Sequence, residues 1–324
     1  MSPIVAVAAA TPSPALASSP FVLENAGAWR RWREGKLARY PRSAEDLVVE
    51  VRDCRDLSGA EHDALLDGLR RANMVVYASR ACSADNAIPR LLGQRFGLDS
   101  LDGNYLSGED GISRIEVSSA AEAEGFIPYT DRAIRWHTDG YYNPPARRIR
   151  AMVLHCVASA EEGGANRLLD HELAYLYLRD ADPECARAFL QPDAMTIPAR
   201  MDDAGVARAE ETGPVCHVDA ATGDLHMRYT ARTRSIRWKD DPATQSAVAQ
   251  LAKILSSDAS RVLRIRLEPG MGIIANNVLH DRAAFTDGAE RRRLLLRGRF
   301  FERIRGTEST FLDPSFPPST GASP

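Results

Sequence analysis

Cysteine is scarce in this chain and badly placed for a framework. The five thiols in 324 residues, Cys54, Cys82, Cys156, Cys185 and Cys216, are odd in number and scattered, with no Cys-x-x-Cys. That argues against a disulfide scaffold or a zinc ribbon and for reduced thiols in a cytoplasmic protein. No apolar run is long enough to cross a bilayer. Charge of one sign is not in excess either: 41 Lys and Arg stand against 44 Asp and Glu, a net charge of −3. No global attraction to nucleic acid or to an anionic membrane follows, and a small molecule is the expected partner. Histidine is sparse, with seven residues, so a metal site has few candidates. No internal repeat or linker divides the chain.

What is present fits a soluble globular protein: 44% hydrophobic and 26% charged residues, in a chain long enough for one large core. The opening Met1-Ser-Pro-Ile-Val-Ala-Val lacks a basic start and is soon interrupted by prolines. Residues 1–20 are therefore expected to be a disordered tail and not a signal peptide. The polar, proline-rich residues 306–324 are expected to be a second tail, leaving 21–305 as a single domain. A helix carrying Trp29, Trp32 and Leu37 is expected to lie on that domain, because two tryptophans imply a covered face. Ser58-Gly-Ala-Glu61 reads as a capping box opening a helix. Asp241-Pro242 reads as the start of another. Ala151-Met-Val-Leu-His-Cys-Val is a strong strand, residues 193–223 are irregular, and 224–238 is strand-like. The pattern supports mixed α and β.

The chemistry centres on Trp136-His-Thr-Asp-Gly. His137 and Asp139 are two apart, so on an extended chain they face one side and can grip one face of a metal. His280, in Asn276-Asn-Val-Leu-His-Asp-Arg, is the candidate third ligand. Two His and one carboxylate with an open opposite face suit non-haem Fe(II) oxygenases. Downstream, Arg293 and Arg297 differ by four and share a strand face, where a guanidinium fork suits a dicarboxylate. Arg228, Arg232 and Arg234 lie even numbers of residues apart, as on one strand face, and either receive an anionic substrate group or form a solvated edge. His155 reads as a packed core residue, and His62, His171, His217 and His226 have no ligand spacing.

These motifs, with Val153-Leu-His-Cys and Gly163-Gly164, make the chain from about Leu47 to Phe301 resemble the taurine dioxygenase and 2,4-dichlorophenoxyacetate dioxygenase superfamily. Pro128-Tyr129-Thr130 and Leu154-His155-Cys156 add some likeness to γ-butyrobetaine hydroxylase. The resemblance implies a mainly β fold, a double-stranded β-helix or jelly-roll core with flanking helices. It implies Fe(II) on His137, Asp139 and His280, with 2-oxoglutarate as co-substrate and O2 as oxidant. Arg293 would hold the distal carboxylate of 2-oxoglutarate and Arg297 would lie near its other end or the substrate. Asn166 stands where the family often has Thr. The reaction implied is hydroxylation of an unactivated C–H, coupled to formation of succinate and CO2. Related halogenases lack the carboxylate that Asp139 supplies here.

Tyr129, Tyr141 and Tyr142, with Trp136, either pack the barrel mouth or cage a quaternary ammonium. The γ-butyrobetaine branch carries an amide where this chain has Phe126. Two rival readings use the same ligands: a zinc hydrolase, in which the arginines have no role, and a non-catalytic barrel that binds a metabolite. Desaturation or cyclisation is an alternative oxidative outcome. Oligomeric state is open, a homo-oligomer included.

Overall fold

The computed structural model describes residues 13–309, apart from 81–82, 104–106, 119–125, 203–204, 234–235 and 258–259. Ten strands build two sheets. They are β1 (Val48–Val51), β2 (Met74–Ser79), β3 (Ser113–Ile115), β4 (Ile134–His137) and β5 (Ala151–Ala158), then β6 (Asn166–Leu169), β7 (Leu263–Ile265), β8 (Met271–Ala275), β9 (Leu279–Arg282) and β10 (Leu294–Phe300). The larger sheet runs β1-β2-β8-β5-β10-β3 and the smaller β7-β6-β9-β4. Only β1 and β2 pair in parallel; the other pairs in the two sheets are antiparallel.

The apolar run of β5 is explained by burial on both faces. Met152, Leu154 and Cys156 join the main core with Ile273, Leu295 and Leu168. Ala151 and Val153 point the other way, into a second core with Leu65, Leu69, Leu92 and Phe300. That second core lies under two helices, α3 (Gly59–Ala72) and α4 (Ala87–Arg95), counting α1 (Pro14–Ser18) and α2 (Ala26–Arg39) before them. α3 starts on the expected capping box, Ser58 with Glu61, and stops at Asn73, whose φ of 56° ends the helical ladder. Three more helices, α5 (His171–Ala181), α6 (Pro183–Phe189) and α7 (Pro242–Ser256), pack on one another beside the main core. Asp241 caps α7, with Pro242 at its first position.

The tryptophan helix lies on the body as expected: Trp32 is buried, stacked on Trp29 and edge-on to Phe21. Its fastening is electrostatic as well. Lys36, fully buried, reaches Asp170 at 2.5 Å and Glu172 at 2.9 Å, while Arg303 reaches Glu172 at 3.2 Å. Asn73 Nδ2 donates to Asp170 at 3.0 Å, so three distant segments meet there.

The structure differs from expectation in four places. Residues 13–20, expected in a tail, form α1 and a buried turn whose Pro20 carbonyl accepts from Arg179. Residues 306–309 are likewise held, with Ser309 donating to Asp224 and Thr307 accepting from Asn276. Residues 193–223 are not irregular: 195–197, 200–202, 205–208, 211–213 and 216–218 are short strands. The run 224–238 is not one strand. Residues 225–227 pair with 216–218 and 237–238 with 195–197, because residues 229–231 turn away to hydrogen-bond β4. No helix among the described residues is long and apolar enough to cross a membrane.

Candidate active site

His137 ends β4, and the antiparallel register sets it directly opposite His280 in β9. Asp139 follows two residues later, so both its carboxylate and the two imidazoles meet. The donor atoms of His137, Asp139 and His280 all lie within 4.8 Å of one another. The imidazole centroids are 4.2 Å apart, and His137 Nε2 is 3.7 Å from Asp139 Oδ1.

The surroundings fix which atoms point inward. His137 Nδ1 lies 2.9 Å from the Arg135 carbonyl, and His280 Nδ1 lies 2.9 Å from the Val278 carbonyl. Each Nδ1 carries the proton, so each Nε2 keeps its lone pair for a ligand. Burial, then the neighbouring His137, pushes the His280 imidazole down to about 4, which keeps it neutral. Burial alone would raise the Asp139 carboxyl. Arg297, His137 and Arg299 outweigh it and hold the group well below the usual carboxylate range. Two imidazole nitrogens and one anionic oxygen fit a divalent metal.

The backbone that presents Asp139 is clamped. Asn277 Oδ1 accepts from Asp139 N–H at 2.8 Å, and its Nδ2 donates to the carbonyls of Asp139 and Ile149. Thr138 Oγ1 accepts from Tyr229 N–H at 3.1 Å. Gly140 has a φ of 66°, and a Cβ there would lie 2.4 Å from Ile149, so the turn after Asp139 requires glycine. Asn277 and Thr138 are functional neighbours that motif reading passed over. Asn277 sits inside the quoted Asn-Asn-Val-Leu-His run, and its φ of 49° marks it as constrained.

Arg293 and Arg297 do not play one part. Arg297 Nη1 lies 3.2 Å from Asp139 Oδ2, an ion pair with the carboxylate itself. Arg293 is buried, and its guanidinium has no hydrogen-bond acceptor or ion-pair partner among the described residues. It stands 5.1 Å from the Phe285 ring, and burial lowers it to about 10. Beside it is a small, partly open cavity lined by Gly163, Gly164, Asn166, Arg266, Arg293 and Leu295. Asn166 Nδ2 donates to the Asp281 carbonyl at 3.0 Å, and its Oδ1 is buried without a partner. Arg299 is committed elsewhere, to Asp102 and the Tyr142 hydroxyl, and Arg291 and Arg292 are exposed.

The expected substrate residues are less unified. Tyr129 is buried in the turn 127–129, which Arg282 holds by donating to the carbonyls of Pro128, Thr130 and Arg132. Tyr141 and Tyr142 are half-buried and edge to face. Arg208 lies over Tyr142 and Arg167 over Trp136, so two rings of the expected cage already face protein cations. Arg232 is half-buried, and its guanidinium has no partner among the described residues. Arg228 does not sit on a solvated edge: it is buried, and its guanidinium donates to the carbonyls of Met195 and Gly213. Arg234 lies outside the described residues. His155 is a core residue, 2.9 Å from the Tyr77 hydroxyl.

Two imidazoles, a carboxylate and a nearby cationic cavity are the parts of a facial-triad oxygenase. The chain belongs to the TauD/TfdA family: the model described as taurine catabolism dioxygenase TauD, TfdA family, matches residues 48–298. Oxygenases of this family use Fe(II), 2-oxoglutarate and O2. Among curated proteins, the chain is 29% identical over 177 residues to a uridine-5'-phosphate dioxygenase of an Amycolatopsis species, covering 53% of this chain and 62% of that protein. It is 33% identical over 179 residues to a Streptomyces protein of the same name, covering 52% and 62%. The matches thus span about three-fifths of those relatives' length. Among solved structures, a taurine dioxygenase from Burkholderia xenovorans superposes with a TM-score of 0.53 at 19% identity, covering 81% of this chain and 89% of that one. At that identity the likeness concerns the fold.

Proposed function

We propose that this dioxygenase hydroxylates an unactivated C–H of a small anionic metabolite while 2-oxoglutarate is converted to succinate and CO2. Residues 21–305 form the catalytic domain, and the two facing sheets are read as a double-stranded β-helix. The observation that carries the reading is the convergence of His137 Nε2, His280 Nε2 and the Asp139 carboxylate next to a cavity whose buried cation lacks a counter-charge.

In this reading His137, Asp139 and His280 hold Fe(II). Ferrous iron, with 2-oxoglutarate and dioxygen, supplies the oxidising power. The chain's own residues do the positioning. The Arg135 and Val278 carbonyls orient the imidazoles, and Asn277 fixes the backbone of Asp139. Arg293 neutralises the distal carboxylate of 2-oxoglutarate, with Asn166 and the Gly163-Gly164 turn shaping the cavity around it. Glycine is required in that turn, since a Cβ on Gly163 would lie 2.3 Å from the Ala284 carbonyl. Arg297 offers its charge on the face of Asp139. The two relatives named for uridine-5'-phosphate make a nucleoside monophosphate the first substrate to test.

The test is succinate release by the Fe(II)-loaded protein with 2-oxoglutarate and a panel of uridine-5'-phosphate, taurine, amino acids and a quaternary amine. The expected result is stimulation by an anionic member together with a hydroxylated product. Turnover of a substrate without 2-oxoglutarate would instead support a hydrolase.

A further inference from the structure

The strand edge that carries His137 leads into a second cavity. Thr138 N–H donates to the Tyr229 carbonyl at 2.9 Å and Ala231 N–H to the Trp136 carbonyl at 2.8 Å, which sets Thr230 opposite His137. Arg228 and His226 lie two and four residues before Thr230 in the chain. Beyond Asp139, residues 143–148 come to lie against the strands 211–213, 216–218 and 225–227. Between them is a small, partly open pocket whose polar lining includes Arg148, Arg228, His217, His226 and Glu211.

The charges on this wall do not balance. Arg150, next to it, is matched by Asp219 at 2.9 Å. Arg228, 8% exposed, is held by the carbonyls of Met195 at 2.7 Å and Gly213 at 3.1 Å, and its Nε–H is buried without an acceptor. Arg148 has no hydrogen bond or ion pair among the described residues. His217 and His226 face each other across an antiparallel pair, and their rings also lack hydrogen-bond partners there. Burial, reinforced by neighbouring positive charge, lowers both imidazoles, so they are neutral and each offers one N–H. Two guanidiniums over the single carboxylate of Glu211 leave a positive surplus. A buried cation in that condition is costly unless a ligand supplies the counter-charge.

We propose that this cavity is the subsite for a phosphate monoester group of the substrate, with Arg148 and Arg228 as its charged contacts and His217 and His226 as neutral donors. The assignment rests on the proposed function and deepens it by naming the substrate class. Donors from three segments line this one pocket, which suits a tetrahedral group with several acceptor oxygens better than a carboxylate with two. Arginine forks match that geometry. Arg228 is two residues from Thr230, the bridge partner of His137, so a short stretch of chain links this cavity to the strand that carries a metal ligand.

The test is calorimetric titration of the full chain, loaded anaerobically with Fe(II) and 2-oxoglutarate. The ligands are uridine-5'-phosphate against uridine, ribose 5-phosphate against ribose, and inorganic phosphate. The expected result is that a phosphorylated member binds about ten-fold tighter or more than its unphosphorylated partner. Arg148→Ala, a half-exposed position that folding tolerates, should remove that advantage, and Arg148→Lys should restore part of it. No preference in either pair, or the same preference in Arg148→Ala, overturns the subsite. Inorganic phosphate that binds as tightly as the esters, and is lost in the same variant, overturns the assignment to substrate in favour of free phosphate. The visible Fe(II)–2-oxoglutarate absorption band is read from the same samples. A phosphate preference without the band breaks the proposed function and leaves the subsite standing; the band without a preference does the reverse.

Discussion

Two clusters of buried charge in this chain follow opposite rules. Around Lys36 each ion has a partner: Asp170 and Glu172 on the lysine, Arg303 on Glu172, Asn73 on Asp170. At the two cavities, the buried Arg293 and Arg228 and the half-buried Arg148 have no carboxylate within ion-pair distance among the described residues. The first cluster ties α2, the start of α5 and the residues after β10 together, and nothing is left over to bind a ligand. The second holds cations whose desolvation is offset only when an anion arrives. Around Lys36 matched buried charge holds segments together; at the two cavities the cations without a carboxylate are the proposed ligand contacts.

Breaking the matched cluster has the largest expected effect. Lys36→Met leaves Asp170 and Glu172 facing each other and should cost about 3–5 kcal/mol of stability in denaturant unfolding, with 2-oxoglutarate affinity of the folded protein unchanged. A variant as stable as the parent would remove the cluster's structural role.

Acid attacks the same cluster. Burial raises the Glu172 carboxyl, but Lys36 and Arg303 outweigh it and bring it to about 2 from an ordinary 4.5. The folded value lies below the unfolded one. Its contribution, roughly 3 kcal/mol, is therefore complete above the unfolded value and disappears as pH falls toward the folded one. Glu172→Gln should flatten the stability profile across that window, and an unchanged slope would assign the acid sensitivity elsewhere.

The unmatched side should answer differently. Arg293→Leu should weaken 2-oxoglutarate binding by about 30-fold or more. Stability should hold within about 1 kcal/mol or rise, because an unpaired buried cation is removed. A large loss of stability with normal 2-oxoglutarate affinity would place Arg293 in the first category. The smallest effect belongs to Asn277→Ala, which frees the backbone of Asp139. Fe(II) affinity should fall roughly ten-fold, as read by competition with a chelator.

How far this was legible in the sequence depended on the range of each interaction. His137 with Asp139, and Arg293 with Arg297, needed only the two-residue period of a strand. The Ser58 and Asp241 caps are local as well. His280 needed a pairing across more than a hundred residues, which motif resemblance supplied and periodicity does not. Arg297 shares a strand face with Arg293, yet spacing says nothing of Asp139 coming within 3.2 Å of it. The short strands between 195 and 238 carry two to four residues each, too few for alternation to register, so spacing leaves Arg228 open between a substrate contact and a solvated edge. Asn277 acts through its amide on a distant backbone, which leaves no periodic trace. Residues 306–309 look like a tail because their partners, Asn276 and Asp224, lie far away in the chain.

The central claim is that His137, Asp139 and His280 share one ferrous ion beside an anchored 2-oxoglutarate. Anaerobic addition of Fe(II) and 2-oxoglutarate, followed by visible absorption, tests it most directly. The account predicts one iron per chain and a charge-transfer band that is absent in His280→Ala and needs more 2-oxoglutarate to develop in Arg293→Leu. An unaltered band in the folded His280→Ala protein would contradict it.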